Sequence, residues 1–129
     1  MKEDYVSFET AKLLKKKGFD WDCITYYVDS EPNDVKYSML FENNTTWEER
    51  CYSAPTHQMA MKWLREVHNI HIEIFVIKNY DKKICEYTYT IMDLNFPGSD
   101  DGIDCCKQYK TYEQVCEAAI KYCLEHLVW

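Results

Sequence analysis

A chain of 129 residues with 47% hydrophobic and 16% aromatic content is long enough for one buried core and too apolar to be disordered. Its net charge of −7 argues against a broad basic surface for nucleic acid, and no stretch reaches the apolar length needed to span a bilayer. Seven cysteines without a CxxC or a regular framework, and an N-terminus without an apolar leader core, point to free thiols in a reducing cytoplasm.

Taken in order, Ser7 to Lys17 reads as a helix. Ser7 is its N-cap, Phe8, Ala11 and Leu14 are its buried stripe, and Gly18 is the residue that ends it. Trp21 to Asp29 reads as a strand with Ile24, Tyr26 and Val28 inward. The turn Ser30 to Asp34 sends it into a return strand, Val35 to Glu42, with Val35, Tyr37, Met39 and Phe41 inward. Asn43 to Thr46 breaks the pattern.

Tyr52 to Ile77 carries the clearest change of period in the chain. Ser53, Pro55 and Thr56 supply helix-start chemistry. Ala60, Trp63, Leu64 and Val67 then recur at helical spacing. After His68-Asn69 the period becomes two, with Ile70, Ile72, Ile74 and Val76 on one side. A turn at 79–83 leads to a partner strand, Ile84 to Met92, with Cys85, Tyr87, Tyr89 and Ile91 inward. Asp93 to Lys110 is a long unpatterned loop. Thr111 and Gln114 then form a capping box for a last helix with an apolar face from Tyr112 to Leu127.

The order α-ββ-α-ββ-α predicts a single α+β domain over residues 1–129. The expected architecture is a four-stranded antiparallel sheet with helices packed mainly on one face. Its other face would expose Tyr27, Leu40, His71, Phe75 and Ile77, which is apolar enough to predict a partner interface, a homodimer included. Cover of that face by the last helix or the N-terminal segment is the alternative.

Chemistry is less legible. Cys105-Cys106 fits no zinc spacing, Cys116 and Cys123 read as core, and the Asp100, Asp101, Gly102, Asp104 run lacks the ligand alternation of a calcium loop; no metal or cofactor is expected. No catalytic motif occurs, so no catalytic residue is assigned. A hydrolase built on His57 or His71 would have to use a site without a local signature. The start of the central helix is the candidate for a small anionic ligand. There, free N–H groups near Thr56 and His57 would join Arg50 and Lys62, with Trp47 and Tyr52 as stacking surfaces.

The segments YSAPTHQMAMKWLREVHNIHIEI and KTYEQVCEAAIKYCLEHL, with the early AKLLKKKGFD, resemble small hypothetical proteins encoded by phages, prophages and mobile elements of gut bacteria. In those proteins an APT-x(n)-WLRE segment runs into an I-x-I strand, and a TYEEA-like helix closes the chain. The resemblance covers most of the chain and implies an accessory factor rather than a metabolic enzyme. The expected activity is therefore non-catalytic binding of a host component, such as part of a defence system. Sequestration of a nucleotide-type signal is the alternative.

Overall fold

The computed structural model describes residues 4–79, 84–95, 102–105 and 107–128. The expected turn at 80–83, Asp100, Asp101 and Cys106 lie outside the described residues.

The first helix, α1, spans Phe8–Lys16 and is set at both ends by the residues the sequence marks. Ser7 Oγ accepts the Thr10 N–H at 3.2 Å. At the other end Phe19 N–H donates to Leu14 O at 2.9 Å and Gly18 N–H to Lys15 O at 3.2 Å, a Schellman ending. Gly18 makes that turn at φ +91°, where a Cβ would be strained. The chain reversal drives Phe19 into the core, its ring centroid 5.4 Å from that of Trp63.

The described strands form two three-stranded antiparallel sheets, not the expected single four-stranded one. In the first, β1 (Cys23–Val28) is flanked by β2 (Glu31–Glu42) and β3 (Cys51–Ser53). In the second, β5 (Ile84–Asp93) lies between β4 (Ile70–Asn79) and β6 (Ile103–Asp104). Two short strands make the difference. β3 occupies the side of β1 that a larger sheet would use, and β6 does the same for β5. Each is too short to show an alternating pattern. Ser53 therefore lies in a strand, and Thr56 alone caps the next helix. β6 and a Tyr87–Tyr109 bridge also give structure to part of the segment expected to be an unpatterned loop.

The order is thus α1-β1-β2-β3-α2-β4-β5-β6-α3, with α2 at His57–His68 and α3 at Tyr112–His126. Thr56 Oγ1 accepts the Met59 N–H at 3.2 Å, and Thr111 Oγ1 accepts the Gln114 N–H at 3.1 Å. Asn69, in the left-handed region at φ 58°, ends α2 and starts β4, where the hydrophobic period changes. α3 packs against α1, α2, β4 and β5 and buries Val115, Cys116, Ala119, Ile120, Cys123 and Leu124. The ends of the expected stripes are exposed instead: Val67 on α2, Val76 on β4 and Tyr112 on α3.

The first sheet corrects the expected faces. In β1 the buried residues are Cys23, Thr25 and Tyr27, while Ile24 is exposed. The polar atoms of the buried pair have backbone partners. Tyr27 OH donates to Val6 O and Thr25 Oγ1 to Ala54 O, both at 2.6 Å. Those bonds remove the penalty for burying them, so this face wins over the more apolar one. Tyr27 is consequently a core residue and no part of an exposed interface.

In β2 neither face is buried. The turn is the two residues Asp29-Ser30, and the strand begins at Glu31, with Pro32 on an edge strand where a missing N–H is tolerated. Cys23 pairs with Glu42 and Thr25 with Tyr37, so β2 carries surplus residues between those pairs. This bulge pushes Met39, Leu40 and Phe41 outward, so Met39 and Phe41, like Tyr37, are exposed rather than inward as expected, and Leu40 is exposed as expected.

Candidate functional site

The expected ligand residues are spread over several surroundings. At the start of α2, His57 N–H donates to Asp4 O at 3.1 Å, and Thr56 is bridged to Tyr5. With Thr56 Oγ1 on Met59, the chain itself takes up donors expected to be free for an anion. Trp47 stacks on Tyr26 with centroids 4.6 Å apart and donates to Ser53 Oγ at 2.8 Å. Arg50 is exposed, and Lys62 pairs with Glu66 along α2. Tyr52 packs edge-on against Phe8 and lines a groove of about 650 Å³ between α1 and α3. Lys12, Lys15, Lys16 and Lys121 border that groove with Glu9, Glu49 and Glu125; Lys121 Nζ lies 3.0 Å from Glu9 Oε2, and Lys15 Nζ donates to Glu49 O and Cys51 O.

His57 has a role that sequence spacing does not show. Its Nε2 lies 2.9 Å from Glu117 Oε2, sixty residues away. Glu117 Oε1 accepts the Ser7 N–H at 2.9 Å and the Thr10 hydroxyl at 2.8 Å. Burial alone would push the Glu117 carboxyl up, but hydrogen bonds from His57, Ser7 and Thr10 outweigh it and hold the group at about 2. The cluster ties the start of α1, the start of α2 and the middle of α3 together. It borders a cleft of about 720 Å³ that Tyr109 and Lys110 also line. Chemically it can orient the His57 ring, yet the nearby hydroxyls are engaged: Ser7 Oγ donates to Thr10 Oγ1, and Thr10 Oγ1 donates to Glu117.

Among the described residues, no group of three or more His, Cys, Asp and Glu side chains is placed to hold a metal ion. Cys23, Cys51, Cys105, Cys116 and Cys123 are free thiols. Burial pushes Cys23 and Cys116 to about 11 and Cys123 to about 12, which suppresses the reactive thiolate. These three are buried while Cys51 and Cys105 are half-buried, so brief alkylation of the native chain, read by mass spectrometry, is expected to modify Cys51 and Cys105 first. Equal labelling of Cys123 and Cys105 would contradict the packing of α3.

The most conspicuous surface is apolar. Met39 is 100% exposed, and Leu40 and Phe41 are each 72% exposed. Of the expected interface residues, Leu40 belongs to this patch. His71, Phe75 and Ile77 instead lie on the outer side of β4, with Met92 paired across from His71. The expected interface is thus divided between two sheets. Sequence alternation assigns Met39 and Phe41 to the core; the signal that could have exposed the error is Leu40 between them, which leaves the strand apolar on both sides. Glu117 has no local signal at all.

No protein-family model, no curated protein and no solved structure matches the chain. No helix among the described residues is long and apolar enough to cross a membrane.

Proposed function

We propose that this chain is a small non-catalytic binding protein that works through the exposed segment Met39 to Phe41. One observation carries the reading: three large apolar side chains stand in solvent on an edge strand, where folding of the chain alone gives them nothing to bury. Burying such a side chain contributes about 1.5–3 kcal/mol, so the segment is a strong anchor for another surface. The resemblance to phage and mobile-element proteins supports a host component as the partner, a defence factor among the candidates. An acidic protein in the cytoplasm fits that role.

The test is affinity capture from host cells with the native chain and with Phe41→Asp. A specific host protein held by the first and lost from the second is the expected result. Identical recoveries from both would refute the assignment of this surface.

The lysine-bordered groove gives one reason to keep a second reading, a nucleotide-type small ligand. Tyr52, already under Lys15 Nζ, would meet the base with its edge, and Lys12 and Lys16 the phosphates, within about 650 Å³. A true ligand at 100 times its Kd should add about 2.7 kcal/mol of stability, visible as a raised melting temperature. A panel of cyclic and linear nucleotides that leaves the melting temperature unchanged would remove this reading.

A further inference from the structure

We infer that the cleft beside His57 and Glu117 binds a guanidinium cation, with the second ring nitrogen of His57 as one of its acceptors. The cleft shares no lining residue with the lysine-bordered groove and includes none of the Met39 segment, so the site goes beyond the binding role proposed above.

His57 is only 7% exposed, yet just one of its ring nitrogens is engaged. Glu117 is ionised near neutrality and can only accept, so the proton of the neutral ring sits on Nε2. Nδ1 is then a bare acceptor, and no described residue gives it a hydrogen bond. Nor is it sealed in. Among the described residues, His68 Nε2 is the one fully enclosed side-chain nitrogen or oxygen without a partner. Nδ1 is therefore open to the cleft of about 720 Å³ that the ring lines.

Charge selects the ligand. Asp4, His57 and Glu113 line this cleft and also an adjoining one of about 180 Å³, so the three stand where the two meet. Glu113 lies one helical turn before Glu117 on α3, which puts both carboxylates on one side of the helix. Its place in the first turn favours its charged form. Asp4, Glu113 and Glu117 thus line the cleft against Lys110 as the only lysine. Among the described residues Asp4, Glu113 and Lys110 enter no ion pair. An anion would meet like charge there, and a neutral ligand would leave the repulsion among the carboxylates in place. A cation relieves it.

The mixture of acceptors favours guanidinium over ammonium. A guanidinium carries a fixed fork of N–H donors, enough to serve a ring nitrogen and a carboxylate together, and it is the more weakly hydrated of the two cations. The ring acceptor is also held in advance. The Ser7 N–H, the Thr10 hydroxyl and His57 all bind Glu117, which pins the imidazole to α1 and α3 before a ligand arrives. Little further ordering is then lost on binding.

The test is calorimetric titration of the intact chain with ethylguanidinium, N-acetyl-arginine amide, and the matching lysine and citrulline amides. The two guanidinium probes should bind saturably. The citrulline amide keeps the shape without the charge and should bind about tenfold more weakly, and the lysine amide should also be weaker. Glu113→Gln should weaken the arginine amide about tenfold, whereas Lys110→Gln should strengthen it at low salt. Histidine-selective nitrogen NMR adds a readout that loss of folding does not imitate: the ligand should shift His57 Nδ1 far more than Nε2. No saturable binding of either guanidinium probe would overturn the inference, as would equal affinity for the lysine or citrulline amide, or an unmoved Nδ1. Ethylguanidinium as tight as the arginine amide would assign the site to free guanidines, and a much tighter arginine amide would assign it to a protein-borne arginine; both uphold the site. Phe41→Asp should bind the arginine amide as the native chain does, so failure here leaves the Met39 segment untouched.

Discussion

Trp63→Ala is expected to cost about 3–5 kcal/mol, the largest loss from any single truncation in the chain. Trp63 is 1% exposed and stands where three parts of the molecule meet. It lies on α2, takes the Phe19 ring delivered by the turn after α1 at 5.4 Å, and takes the His68 ring at 4.6 Å. Removal leaves a void lined by residues that the backbone holds in place, so the site cannot collapse fully. Thermal unfolding should show a fall of roughly 10–20 °C in midpoint for a domain of this size. Trp63→Phe should lose far less. An alanine variant that melts within a few degrees of the native chain would mean that Phe19 and Trp63 do not share a core.

The second large effect is at Glu117. Glu117→Ala leaves the Ser7 N–H, the Thr10 hydroxyl and the His57 ring without their acceptor in a partly buried position, and is expected to cost about 2–4 kcal/mol. The same carboxylate makes stability depend on pH. Its value is depressed from an ordinary 4.5 to about 2, so the folded state binds the proton less readily than the unfolded state. Its stabilisation is therefore complete above pH 4.5 and lost as pH falls through about 2. Allowing for solvent screening of a group that is not fully enclosed, the change amounts to about 2–3 kcal/mol. Denaturant titrations of the native chain and Glu117→Gln should differ by this amount near neutrality and converge in acid. A difference that stays constant with pH would show that the carboxylate charge contributes nothing.

Helix boundaries were the most legible part of the fold because their causes are local. Ser7, Gly18, Asn69 and Thr111 each act within a turn of themselves, and each takes its expected place. The period change at His68-Asn69 likewise marks the α2–β4 junction. Sheet organisation was less legible. β3 and β6 are too short to carry a pattern, yet they decide which sides of β1 and β5 remain open and so divide the strands between two sheets.

The orientation of β1 misled for a different reason. Alternation ranks Ile24 above Thr25 for burial, but hydrogen bonds from Thr25 and Tyr27 to distant carbonyls reverse the ranking. For β2 the hydrophobic rule itself was the obstacle. It treats Met39 and Phe41 as core, whereas the bulge opposite Ile24 turns them outward. The His57–Glu117 cluster joins residues far apart in the chain, and no spacing rule reaches that distance.

Exposure of Met39 is the point on which the binding role stands, and methionine oxidation reads it directly. The native chain would be treated briefly with peroxide, alone and with its captured partner, and each methionine scored by mass spectrometry. Met39 should oxidise at the rate of an unfolded chain when alone and become protected when the partner is added. Met61, 8% exposed on α2, should stay slow throughout. A Met39 as slow as Met61 in the chain alone, or one that the partner does not protect, would contradict the account.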